Sequence, residues 1–187
     1  MDFASRLAEL QKRTIEHREV LLTEEAAKTA LVMPFLQSLG YDVFNPKEVV
    51  PEFTADVGIK KGEKVDYAIC QDGKVNILIE CKPSTAELNV NHASQLFRYF
   101  SVTESRLAIL TNGVNLSVLF QTSKKPKQKW TSGHFFYVQY GSDKSHLTFE
   151  RWKKFAKADF DIEKIIQEAG HLKTPIAIAK GDGPGVC

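Results

Sequence analysis

Between Lys64 and Ser84 the chain reads KVDYAICQDGKVNILIECKPS, two apolar runs on either side of Asp72-Gly73. Side chains of a strand alternate between two faces, and Asp-Gly is a hairpin turn dipeptide, so the segment predicts a β-hairpin. In the first strand Val65, Tyr67 and Ile69 share one face, while Asp66, Ala68 and Cys70 share the other. In the second, Val75, Ile77, Ile79 and Cys81 form one row, and Asn76, Leu78, Glu80 and Lys82 the opposite row. A one-residue slip would expose an apolar row, so the two apolar rows stack in one core. That register gathers Asp66, Glu80 and Lys82 on the other face. A strict two-residue turn would set Asp66 against Ile79 instead. The pattern therefore predicts a three- or five-residue turn, or a bulge at Gly73.

Two carboxylates held this close repel, and one is driven to protonate. A divalent cation removes the conflict. Magnesium takes oxygen ligands, here two carboxylates and a backbone carbonyl. Such an ion acidifies water and stabilises charge on a phosphoryl oxygen, and a neighbouring lysine can position the attacking water. The combination suits phosphodiester hydrolysis. A plainer reading is a structural salt bridge between Lys82 and one acid. The second acid, Asp66, and the apolar surroundings weigh against it.

Two helices direct further candidates to this hairpin. Thr23 is a good N-cap, with Glu24 and Glu25 suited to the positive end of a helix that stops at Gly40. Glu24, Lys28, Leu31 and Phe35 lie along one stripe of it; Leu31 and Phe35 face the sheet and carry Glu24 to the sheet's edge. Pro34 lies inside this helix, where it kinks the backbone or costs a hydrogen bond. In NVNHASQLFRYF, capped by Asn89 or Asn91, Gln95 and Tyr99 are four apart and share a face. They could orient a phosphate, a water or Lys82.

Elsewhere, residues 2 to 21 predict an amphipathic helix with Phe3, Leu7, Leu10 and Ile15 on one side. YDVFNPKEVVPEF, RLAILTNG, VNLSVLFQ and HFFYVQY read as strands, TSKKPKQKWTSG as a basic loop, and Leu147 to Ala169 as helical with a break at Ala158-Asp159. The order predicts an α/β fold, a central mixed sheet flanked by helices, over residues 1–170. Residues 171–187 read as a disordered tail. With 187 residues, 43% hydrophobic and 26% charged, the chain suits one soluble domain.

Glu24, Asp66, the ECK at 80 to 82 and the QLFRY at 95 to 99 occur in this order. Together they resemble the PD-(D/E)XK nuclease superfamily, in the branch with a Q-x-x-x-Y helix. More narrowly, TEEAAKTALVMPFLQSLGYDVFNP, KVDYAI, LIECK and HASQLFRYF are similar to the N-terminal nuclease domain of type I restriction enzyme R subunits, of which stand-alone relatives exist. The similarity is clear over residues 1 to 113, weaker at FAKADFDIEKIIQEAG and poor from Asn115 to Leu147. It implies a restriction-endonuclease-like core and magnesium-dependent cleavage of DNA, with manganese as a substitute. Asp66 and Glu80 match the metal-binding acids, Cys81 the residue whose backbone carbonyl completes the metal site, and Lys82 the catalytic lysine. Gln95 and Tyr99 match the branch motif, and Glu24 the helix acid. Val65 stands where the superfamily name has proline.

No G-x-x-x-x-G-K-[ST] occurs, so the ATP-driven motor of R subunits is not encoded in this stretch. The implied partners are DNA and other restriction-modification subunits. A net charge of +2 confines any contact with DNA to a local patch. Arg98, Arg106 and Lys28 are candidates for phosphate contacts, as is the run Lys124, Lys125, Lys127, Lys129 beside Trp130. His92 and His134 read as surface or cap residues. Three cysteines without a C-x-x-C pair, no signal peptide and no membrane-length apolar run predict a cytoplasmic protein. The same fold could also serve as a catalytically silent DNA-binding or assembly module, or act on RNA or branched DNA.

Overall fold

The alternation seen in the hairpin recurs along the other strands and sorts the apolar residues into two cores, one on each face of a single sheet. The computed structural model describes residues 2–54, 64–100, 102–120, 136–139 and 152–171. The strands β1 (Val49–Thr54), β2 (Lys64–Gln71), β3 (Lys74–Cys81), β4 (Leu107–Thr111), β5 (Asn115–Phe120) and β6 (Phe136–Gln139) lie in sequence order across the sheet. All neighbours are antiparallel except β3 and β4, which run parallel. A parallel pair needs a crossover, and the helix α4 (Val90–Phe100) lies in the connection. The result is the α/β architecture expected, a mixed sheet flanked by helices, consistent with a restriction-endonuclease-like domain.

One face packs Ile69, Ile77, Ile79, Ile109 and Val118 against the N-terminal helices and the C-terminal segment. The other packs Ala68, Leu78, Ala108 and Leu110 beneath Ala93, Leu96, Tyr99 and Phe100 of α4. Helix α1 (Phe3–His17) starts at Asp2, whose side chain accepts from the Ser5 amide (2.8 Å). It buries Leu7 and Leu10, but Ile15 is exposed and Thr14 takes the buried position instead, its hydroxyl bonded to the Leu10 carbonyl. Thr23 caps the next helix through the Ala26 amide (3.1 Å), as its type predicts. This helix runs as α2 (Glu24–Ala27), a π-helical stretch Lys28–Val32 and α3 (Met33–Ser38), and ends at Gly40 with φ +89. The π turn is how the helix accommodates Pro34, which has no N–H to continue the α-helical ladder.

The hairpin reaches its expected pairing by a different route. The turn is the strict two-residue one, with Gln71 opposite Lys74 and positive φ at Asp72 and Gly73. The extra residue sits further along, at Asn76: Cys70 pairs with Val75, whereas Ile69 pairs with Ile77. The correction is therefore a bulge in β3, not at Gly73. Val65 also departs from the simple alternation and joins the α4 face, whereas Tyr67 packs on the other. Val65 pairs with Phe53, next to Glu52, whose φ of +49 marks a kink in β1. Asp66 lies at this change of face, near the end of the sheet.

Helix α5 (Ile162–His171) begins at Asp161, which accepts from the Glu163 and Lys164 amides. The described chain before it is helical only at residues 152 and 153 and non-helical from 154 to 161, a much wider interruption than the break expected at Ala158-Asp159; residues 147–151 lie outside the described residues. The basic loop, His134 and the tail beyond His171 lie outside the described residues.

Gly113 follows β4 with φ +80, and a Cβ there would stand 2.7 Å from Leu31 Cδ1. Gly113→Ala is expected to destabilise the fold by about 1–2 kcal/mol, through both the left-handed backbone and this overlap. Urea unfolding measures it directly; an unchanged midpoint would contradict the close approach.

Candidate active site

Beyond β3, the Lys82 amide donates to the Thr111 carbonyl (2.8 Å), which extends the pairing with β4 by one residue. The loop that follows is pinned in two places. The Ser84 hydroxyl shares its one proton between the Arg18 and Leu21 carbonyls, and the Asn112 side-chain amide donates to the carbonyls of Ser84 and Ala86. Asn112 is buried and its Oδ1 accepts from the Val114 and Asn115 amides, so the Asn-Gly turn also locks the exit from β3. Lys82 thus projects from a stiff support.

Asp66 lies one step beyond the Tyr67–Ile79 pair, opposite Glu80. Its Oδ2 accepts from the Cys81 amide (2.6 Å), and its Oδ1 is paired with the Lys28 ammonium. Lys28 also contacts Glu25 Oε1 (2.7 Å) and Glu24 Oε1 (3.2 Å). Glu24 Oε2 stands 3.8 Å from Lys82 Nζ, which donates to Glu80 Oε1 (2.6 Å). A continuous chain of alternating charge therefore runs Asp66, Lys28, Glu24, Lys82, Glu80. At its far end Glu80 Oε2 is buried with no hydrogen-bond partner among the described residues.

These contacts move the protonation equilibria. Burial pushes the Glu80 carboxyl up, the Lys82 hydrogen bond opposes it, and the Asp66 and Glu24 charges add to the rise, leaving it at about 7. Burial works against the Lys28 ammonium, but its bonds to Asp66, Glu25 and Glu24 outweigh that and hold it above the usual lysine range. Lys82 is likewise raised, burial being outweighed by Glu80, Glu24 and Asp66. Both lysines are thus ammonium ions at neutral pH.

The structure brings Glu24, Asp66, Glu80 and Lys82 together, as expected, and Cys81, expected through its carbonyl, joins them through its amide. Lys28, expected at the surface as a phosphate contact, is instead only 6% exposed and committed to carboxylates. The E-E-x-x-K spacing at 24 to 28 is an ordinary helical ion-pair pattern and could have signalled the pairing with Glu24 and Glu25. Nothing local signals Asp66. Gln95 Nε2 donates to the Lys64 carbonyl, and the Tyr99 hydroxyl donates to the Phe53 carbonyl (3.3 Å). Both bond to the backbone where β1 ends and β2 begins, next to Asp66. Arg106 pairs with Glu163 (2.6 Å), and Arg98 is half-buried on α4. His92 lies in the first turn of α4, behind Asn89, which caps the helix by accepting from the Asn91 and His92 amides. Burial and the Lys82 charge push its imidazole down, and its Nδ1 is buried without a partner among the described residues.

Four carboxylates (Glu24, Glu25, Asp66, Glu80) face two ammoniums (Lys28, Lys82), so the cluster carries a surplus of negative charge. Among the described residues no three acid, histidine or cysteine side chains already stand as a metal cage. The oxygen donors and the unpartnered Glu80 Oε2 nevertheless fit a hard divalent cation. No helix among the described residues is long and apolar enough to cross a membrane.

No curated protein and no solved structure matches the chain. Residues 23–132, more than half of its length, match the family model of the type I restriction enzyme R protein N terminus. The matched stretch contains every charged residue of the cluster as well as Gln95 and Tyr99. This chain, with its buried acids and lysine on a mixed sheet, therefore belongs to the family of type I restriction enzyme R protein N-termini.

Proposed function

We propose that this domain is a magnesium-dependent endodeoxyribonuclease of a restriction system, acting in the cytoplasm with DNA and other restriction subunits as partners. The observation that carries the reading is the pair of neighbouring carboxylates, part-buried Asp66 and buried Glu80, the latter with an unpartnered oxygen among the described residues, beside a lysine fixed on a stiff strand exit. Asp66 and Glu80, with the Cys81 carbonyl, are the residues that would hold magnesium or manganese. A divalent ion held there would neutralise charge on the cleaved phosphate and acidify nearby water.

Lys82, kept charged by Glu80 and Glu24, acts as a hydrogen-bond donor that orients the attacking water and the phosphate oxygen. Glu24 holds Lys82 on the side facing the N-terminal helices. Gln95 and Tyr99 hold the β1–β2 backbone, and through it the Asp66 carboxylate. Arg98 is a candidate contact for a DNA phosphate.

Supercoiled plasmid with magnesium tests the proposal. Conversion to nicked or linear DNA is expected for the wild type, with a loss of at least about a hundredfold for Lys82→Ala. Calorimetry with manganese should show binding that Asp66→Asn abolishes. A wild-type protein that neither cuts plasmid nor binds manganese would refute the assignment.

A further inference from the structure

Lys28 is the lysine of the cluster that the nuclease reading leaves without a task. Its side chain is 8% exposed, and its ammonium touches Asp66 Oδ1, Glu24 Oε1 and Glu25 Oε1. Both Asp66 oxygens are consequently engaged, one by Lys28 and the other by the Cys81 amide. The acids most suited to a divalent cation are already partly neutralised by a cation that belongs to the chain.

We propose that Lys28 is a built-in competitor for the divalent cation: it occupies Asp66 Oδ1 and Glu24 Oε1 in the metal-free protein and releases Asp66 when the ion enters. The inference rests on the metal-dependent reading given above. Two positive charges cannot share one carboxylate oxygen at these separations without strong repulsion in a buried site. The ammonium has a place to go, because Glu25 is one helical turn away and its side chain is 80% exposed. Moving towards Glu25 keeps Lys28 paired while it vacates Asp66. Lys28 begins the π-helical stretch, an irregularity common where a helix serves a functional site.

The arrangement has two consequences. Without metal, Lys28 relieves the repulsion among the acids and keeps the cluster folded. With metal, that same stabilisation must be overcome, so Lys28 raises the cation concentration at which the site fills. A domain built this way stays metal-free at low cation concentration without loss of structure.

Manganese binding to the free protein, followed by calorimetry, tests this without recourse to cleavage. Lys28→Met is expected to bind manganese about tenfold or more tightly than wild type, and to melt at a lower temperature in chelator. Lys28→Gln should behave in the same way if the methionine variant folds poorly. Equal or weaker binding by the folded variants, with binding intact in wild type, would overturn the role of Lys28 and leave the nuclease reading standing. Absence of binding in both wild type and variants would overturn both.

A measurement on wild-type protein avoids substitution altogether. In protein labelled with ¹⁵N-lysine, the Lys28 ammonium should be protected from solvent exchange without metal and lose that protection as magnesium saturates the site. A Lys28 signal that is unchanged while calorimetry shows the site filled would refute displacement.

Discussion

Asp66→Ala is expected to lower the stability of the metal-free protein by about 2–4 kcal/mol, a large effect for a residue near a sheet end. Two groups lose their partner at once. The Cys81 amide loses the oxygen it donates to at 2.6 Å, and Lys28 loses one of its three carboxylates. A buried ammonium cannot recover that loss from water, since its side chain is only 8% exposed. Glu24 and Glu25 remain, which keeps the cost below that of a wholly orphaned charge. The double variant Asp66→Ala with Lys28→Met should lose clearly less than the sum of the two single changes, because each removes the reason for the other's cost. Urea unfolding in chelator measures all three. A single-variant loss under about 1 kcal/mol, with additive behaviour in the double, would show that this pair does not hold the site together.

Glu80→Gln is expected to act in the opposite direction. The carboxyl titrates at about 7 in the folded protein, against 4.5 for the ordinary group. Between those values the native state holds a proton that the unfolded chain has released, so the native state binds more protons and stability falls as pH rises. Across that window the loss grows by about 1.4 kcal/mol for each pH unit, which sets a ceiling of about 3 kcal/mol. Glutamine is neutral throughout and escapes it. The variant should match wild type near pH 4.5 and exceed it at pH 8 by about 1–3 kcal/mol, while manganese binding is lost. Chelator keeps bound metal from masking the comparison. A variant no more stable than wild type at about pH 8 would mean that Glu80 is not an electrostatic liability.

The two predictions describe one cluster with unequal ends. Each oxygen of Asp66 has a donor, and removing the side chain strands both donors. Glu80 has one oxygen on Lys82 and the other buried without a partner among the described residues, so its charge is a cost that the fold tolerates. Such a cost is common where a site awaits a ligand. It also explains why stability should respond differently to changes at two neighbouring acids, Asp66 on β2 and Glu80 on β3.

The sequence by itself determined the mixed α/β order, an N-terminal amphipathic helix, the helix start at Thr23 and its stop at Gly40, and the convergence of Asp66, Glu80, Lys82 and Glu24. These follow from short-range physics: side chains alternate in a strand, stripes repeat in a helix, and capping residues act on the next turn. Even the parity problem in the hairpin was legible, because a two-residue turn and two stacked apolar rows cannot both hold without an extra residue. Only the tertiary structure decided where that residue went, and Asn76 rather than Gly73 carries it. It also decided that Val65 turns to the α4 face, that Gln95 and Tyr99 reach backbone carbonyls, and that Lys28 closes on Asp66. Those outcomes depend on where the tips of long side chains meet across elements far apart in the chain. Spacing along the chain sets the face of a residue only while the strand stays regular; a kink such as that at Glu52 can change it, and the partner is chosen by how the faces pack.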